Sequence, residues 1–165
     1  RYNAGTILKL CGPERILQNA QVPHPDLAHR LADLSRCVET LPESREDRDV
    51  DFALASCAAR AAMERHAGTI EALWGPQGQY YVQYGKDLTG IEHLIGTGGI
   101  FIHHPDAAGI LQKTLFSPEE PFSLRPKNPS IFTDARYCLF AMGLLAERLP
   151  EKAFRIAKRY LKKWN

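Results

Sequence analysis

Cysteine is scarce in this sequence, and its few copies are dispersed. Cys11, Cys37, Cys57 and Cys138 form no C-x-x-C pair, which removes a zinc cage and a thioredoxin-like redox site from consideration. They read instead as small buried hydrophobes. Long apolar runs are missing too: no segment approaches the roughly 20 residues that cross a bilayer, and no charged segment precedes a signal-like stretch. A cytoplasmic protein with no membrane partner is the expectation. Neither sign of charge dominates, since 21 Lys and Arg face 19 Asp and Glu for a net charge of +2, and no nucleic-acid partner is expected. The common catalytic signatures are absent as well: there is no H-E-x-x-H, no G-x-S-x-G and no phosphate loop ending in Lys-Ser or Lys-Thr. His24, His29, His66 and His93 are scattered. His103 and His104 are adjacent, and in an extended segment they would point to opposite faces, so no metal site is read from them.

What remains is an ordinary globular composition, 44% hydrophobic and 24% charged over 165 residues, enough for a single domain that folds without staples. The most distinctive stretch is IEHLIGTGGIFIHH at 91–104, two apolar runs hinged on Gly96, Thr97, Gly98 and Gly99. Glycines permit positive φ and close approach by a backbone or a flat ligand. Two readings stand. If the turn opens a helix, its N–H groups offer a nucleotide site; if it joins two strands, it is a four-residue hairpin loop that binds nothing.

Along the chain, Gly12 and Pro13 divide two short helices over 6–20. Leu27, Leu31, Leu34, Val38 and Leu41 trace an amphipathic helix behind Asp26, closed by Pro42. The acidic run 43–51 reads as either a docking patch or a solvated helix start. Behind it, Val50, Leu54, Cys57, Ala58 and Ala61 mark one face of an Ala-rich helix ending at Gly68. The period then changes: 70–74 and 80–84, separated by Gly75, Pro76, Gln77 and Gly78, predict a β-hairpin. A central strand leads into the glycine turn, and Pro105 and Asp106 start a helix over 107–116.

After a Pro-rich loop over 121–130, residues 131–133 add a short strand and Asp134 caps a further helix. Gly143 inside that helix implies close approach by another segment. Pro150 opens a last helix running to Asn165, with apolar positions Ala153, Phe154, Ala157, Tyr160, Leu161 and Trp164. Its other face is basic, through Lys152, Arg155, Lys158, Arg159, Lys162 and Lys163, and is a second candidate docking face.

Several stretches also match as words: RHAGTIE at 65–71, YVQYGKDLT at 81–89, LIGTGGIFIHHP at 94–105, LRPKNP at 124–129 and AMGLLAERLPEKAFRIAKRYL at 141–161. In this order they resemble the glutamate mutase MutL family, which is distinct from the mismatch-repair protein of the same name. RYNAG at 1–5 is the one matching stretch before Arg65, and it resembles a point well inside the longer family chain, so a C-terminal fragment is expected.

The resemblance implies an α/β fold that is part of an actin-like (ribonuclease H-like) ATPase lobe, helix-rich, with a β-hairpin and a central strand followed by the Gly-rich turn. It divides into a helical segment, 1–68, and an α/β segment, 69–165, within a single domain. It implies adenosine contact at Gly96, Thr97, Gly98 and Gly99, and a lobe-crossing helix bearing Ala141 and Gly143. The implied function is the C-terminal part of an ATP-dependent reactivating factor, a chaperone for a coenzyme-B12-dependent mutase such as glutamate mutase or a related aminomutase. ATP or ADP with Mg²⁺ would bind the full-length protein, and the chain alone would not hydrolyse ATP, because the phosphate-binding hairpins and catalytic carboxylates of that family lie outside it. No D-x-H-x-x-G cobalamin pattern occurs, which suits a helper of the mutase rather than the mutase. Two other classes stay open, since one fold hosts many functions: a non-catalytic scaffold or assembly subunit, and the lobe of a sugar or metabolite kinase.

Overall fold

A computed structural model of the chain describes residues 4–37 and 39–164. Val38, Asn165 and the first three residues of RYNAG lie outside them. Helix α1 (Ala4–Asn19) is two helical pieces meeting at Gly12, whose φ of 76° and ψ of 160° are not helical; Pro13 opens the second piece, as the sequence predicts. Helix α2 (Leu27–Arg36) stops short of Pro42. Within its last turn the Ser35 hydroxyl donates to the Leu31 carbonyl, a local bond that competes with helix continuation, and Leu41 is left exposed.

Helix α3 (Arg45–His66) is fixed at its start by a capping box between Ser44 and Asp47. Its apolar face packs Val50, Ala53, Leu54 and Cys57 against Ile7, Ile16, Leu27 and Leu31. These three helices make the larger of two cores. Two acids of the run 43–51 are engaged here: Asp47 caps α3 and pairs with Arg30, while buried Asp49 accepts from Gln21 N (2.8 Å), Val22 N (3.0 Å) and His24 Nε2 (2.8 Å). Burial alone would raise the Asp49 pKa, but those donors outweigh it and hold the carboxyl below its usual range.

The expected hairpin is present as β1 (Thr69–Gly75) and β2 (Gly78–Tyr84), antiparallel with Thr69 opposite Tyr84. At its base Gly68 lies against Gly85, where a Cβ on Gly68 would meet the Tyr84 carbonyl oxygen at 2.3 Å. No side chain fits there.

The second sheet has the order β3-β4-β5. Strand β3 (His93–Gly96) runs parallel to β4 (Ser130–Asp134), and β5 (Leu161–Trp164) pairs antiparallel with β4 on its other side. The strand before the glycine turn is therefore an edge strand, and β4 is the central one. Helix α5 (Ala107–Gln112), capped by Asp106 through Gly109 N, packs Ala108 and Leu111 on Ile131, with Leu94, Phe101 and Trp164 around them.

Two expectations about the C-terminal part are corrected. Helix α7 (Pro150–Tyr160) ends at Tyr160, and 161–164 are strand, not helix. The cause is tertiary: β4 is buried at Ile131, Thr133 and Asp134, so its second edge needs backbone partners, and the 161–164 segment supplies them. Helix α6 (Leu139–Ala146) packs on α7, yet a Cβ on Gly143 would meet nothing within 4 Å. The close approach read from that glycine is not made within the described residues, because it stands on the exposed face with Phe140 and Leu144.

Candidate functional site

Because β3 and β4 are parallel, their carboxyl ends lie side by side, the place where ligands sit on open α/β sheets. The glycine turn leaves β3 there and opens helix α4 (Gly99–His103). The hairpin alternative for the turn is thereby overturned: the chain after Gly98 turns helical, and β3 pairs in parallel with a strand more than thirty residues away.

The four turn residues divide into two kinds. Gly96 is buried, and a Cβ on it would come within 2.8 Å of the Phe101 ring and 3.0 Å of Leu111, so its bareness serves packing of α4 and α5 over the sheet. Gly98 has φ +119°, a region that disfavours side chains. Around Gly98 and Gly99 a Cβ would meet nothing within 4 Å, which leaves their backbone as an open shelf beside exposed Thr97 and Ile95.

A buried carboxylate ties this shelf to α6. Asp134, at 0% exposure, accepts from Thr97 Oγ1 (3.2 Å) and Leu139 N (2.9 Å) on Oδ2, and from Arg136 N (3.3 Å) on Oδ1. Burial works to raise its pKa, but the N–H groups of Leu139, Cys138 and Arg136 and the Thr97 hydroxyl more than offset that and keep it ionised below the usual carboxylate range. The neighbouring Cys138 thiol is pushed up, by burial and then by the Asp134 charge. The sequence predicts a helix cap at Asp134; it caps α6 across four intervening residues and also positions the turn. Only the Thr-Asp pair ending β4 could have signalled that second role.

Ala141 is half-buried on α6 two residues beyond Leu139, and Gly143 is exposed farther along. The described residues thus connect α6 to the turn through Asp134, and place neither Ala141 nor Gly143 in contact with it by any hydrogen bond.

The bare backbone at Gly98 and Gly99 leaves room for a flat ring or a ribose to approach closely. A Mg²⁺-phosphate group does not fit, because Asp134, the carboxylate at the strand ends, already has its oxygens engaged by four donors. Among the described residues no group of three or more His, Cys, Asp or Glu is placed to hold a metal ion. Two clefts lie elsewhere, one between α2 and α3 around Arg30, Leu34 and Val50, the other around Gln21, Phe52 and His104. The shelf is open surface.

His104 has a structural role. Asp106 N–H donates to its Nδ1 (3.1 Å), so Nε2 carries the proton and donates to the Arg48 carbonyl (3.1 Å). It pins the start of α5 to α3, while His103 remains exposed at the end of α4. The basic residues after Pro150 are likewise divided, with Lys162 and Lys163 on β5 and the others on α7. Lys162 Nζ lies 3.8 Å from the centre of the Trp164 ring.

An edge strand and parallel centre strand, a glycine turn opening a helix, and a buried aspartate between them define an α/β protein with a ligand-accessible strand end. Comparison with known proteins carries this further: the family model described as MutL protein matches residues 1–161, and the chain belongs to that family. It is 44% identical over 170 residues to the Protein MutL of Clostridium tetanomorphum, a match covering 99% of this chain and 35% of that protein. The chain thus spans about a third of the length of the curated relative it matches. No solved structure matches it. Among the described residues no helix is long and apolar enough to cross a membrane.

Proposed function

We propose that this chain is part of an ATP-dependent reactivating factor for a coenzyme-B12-dependent mutase such as glutamate mutase, and that it supplies the adenosine-facing side of an actin-like cleft. Membership of the MutL family carries the reading. The open backbone of Gly98 and Gly99 supports it at the residue level, since it leaves a surface that a purine or ribose reaches without displacing side chains. The second wall of the cleft, the Mg²⁺ ligands and the groups that activate water come from sequence beyond this chain.

In this reading Thr97, Asp134 and Leu139 couple the ligand surface to α6. Nucleotide drives a cycle only when it favours one arrangement of the two walls over the other, because equal affinity for both shifts nothing. The test is recovery of an inactivated mutase. Glutamate mutase is inactivated by turnover and mixed with the full polypeptide that carries this chain and with fresh cobalamin, in the presence of ATP, of ADP or of neither. Recovery with ATP alone is expected. Equal recovery in all three would exclude an ATP-driven factor and favour a scaffold or assembly subunit.

A further inference from the structure

The β1–β2 hairpin exposes four aromatic side chains. Trp74 is 78% exposed and Tyr81 63%, and Tyr80 and Tyr84 are exposed beside them. A lone two-stranded hairpin is marginal in water, and here one of its edges is better guarded than the other. The outer edge of β1 is partly paired, since Ile70 N donates to Phe122 O (2.8 Å) and Thr69 bridges Ser123, and it carries Glu71, with Pro76 following its last residue, Gly75. Among the described residues the outer edge of β2 has no such guard.

That Ile70 N–H points away from β2 fixes which backbone groups of β2 point outward. Ile70 is opposite Gln83, so Gln83 is in a pair not bonded within the hairpin, and by alternation Tyr81 and Gln79 are too. The N–H and C=O groups of Gln79, Tyr81 and Gln83 thus face the open edge, and no backbone hydrogen bond reaches them among the described residues. The strand, GQYYVQY, has no charge, no proline and no bulge, the devices by which edges are ordinarily protected. The uncharged run extends from Ala72 to Gly85.

From this edge we infer that β2 is a self-association site whose partner is β2 of a second copy of this chain, antiparallel about a two-fold axis through Tyr81. The segment 79–83, Gln-Tyr-Tyr-Val-Gln, is nearly its own reverse. Centred on Tyr81, the pairing sets Gln79 against Gln83, Tyr80 against Val82 and Tyr81 against Tyr81, so the outward N–H and C=O groups meet their counterparts in register. Electrostatics agree, because no like charges confront each other anywhere along the joined strands, while aromatic and β-branched pairs are the favourable cross-strand neighbours. The product is a four-stranded sheet, β1-β2-β2-β1, with an isologous interface. The two β1 strands form its outer edges, and Glu71 and Pro76 guard against further growth.

The experiment is sedimentation velocity on the full polypeptide that carries this chain, with Cys37→Ser to remove an exposed thiol. A dimer is expected, and Tyr81→Lys, which sets two ammonium groups face to face across the axis, weakens self-association by about tenfold or more. Register is read separately by oxidation. Tyr81→Cys forms a disulfide-linked dimer, since residues opposite one another in a bonded pair have Cα atoms about 5.5 Å apart. Gln79→Cys does not, because its copies are offset by four residues, roughly 13 Å. A protein that stays monomeric, a dimer unaffected by Tyr81→Lys, or equal crosslinking at the two positions overturns the inference. Should Tyr81→Lys fail to fold, the cysteine pair decides alone. The outcome is independent of nucleotide, so failure here and failure of the reactivation test are distinguishable.

Discussion

Asp134 and Arg125 are both fully buried and charged, and the chain meets each with a different device. Arg125 belongs to an ion network in which Glu120 accepts from Arg125 and from Arg60 (2.6 Å), and Glu64 accepts from Arg60 (2.8 Å) and Arg15 (2.6 Å). The network fastens the Pro-rich loop to α3 and α1. Asp134 is met by neutral donors, most of them backbone N–H groups, which favour the carboxylate over the acid. Because its folded pKa lies below the unfolded value, its stabilisation is complete above the usual carboxylate range and is lost as pH falls through the lowered folded pKa. Asp134→Asn is expected to cost about 2 kcal/mol at pH 7, the scale of hydrogen bonds to a charged group. Urea melts of both proteins from pH 7 to pH 3 should show that gap closing as acid protonates the wild-type carboxyl. A gap that does not change with pH would mean that the charge of Asp134 does not matter to the fold. Asp49 contributes with the same sign in both proteins and cancels in the comparison.

At the scale of elements, local rules placed some features and could not place others. The Gly12–Pro13 break, the capped start of α5 and the β1–β2 hairpin are written in residues that act on their own backbone, through fixed φ, side-chain caps and alternation. Strand β5 is not. Leu161 and Trp164 extend the spacing of α7, and nothing local contradicts a helix; the unpaired edge of buried β4, remote in sequence, decides the matter. The same blindness hid the edge position of β3 and the exposure of Gly143, both of which depend on which segment lies next door. At the candidate site, composition marks the turn as free to approach a ligand or a backbone but does not separate its glycines: Gly96 is covered by Phe101 and Leu111, while Gly98 and Gly99 are open. Trp164 supplies a test that separates the two conformations. Its Nε1 donates to Thr133 Oγ1 at 2.9 Å only because 161–164 is a strand. A double-mutant cycle of Trp164→Phe and Thr133→Val should therefore show a coupling of about 1 kcal/mol in denaturant melts. Additive effects would return the segment to helix.

For the whole molecule, the proposed function puts nucleotide contact on an open surface, the backbone at Gly98 and Gly99. On that proposal, bulk added to the shelf at Gly98 or Gly99 should displace nucleotide. Gly98→Val alone is an imperfect probe, since the φ of +119° makes any side chain there strained, at about 1–3 kcal/mol. Gly99 has open space and no such backbone constraint, so Gly99→Val adds bulk to the shelf without straining the turn. The most direct measurement is calorimetric titration of ADP into the full polypeptide that carries this chain, unaltered and with Gly99→Val, beside thermal melts of both. The expected result is a loss of affinity of about tenfold or more, equivalent to about 1.4 kcal/mol, with the melting temperature unchanged. Equal affinity in the two proteins would contradict it and leave the glycine turn a packing element alone.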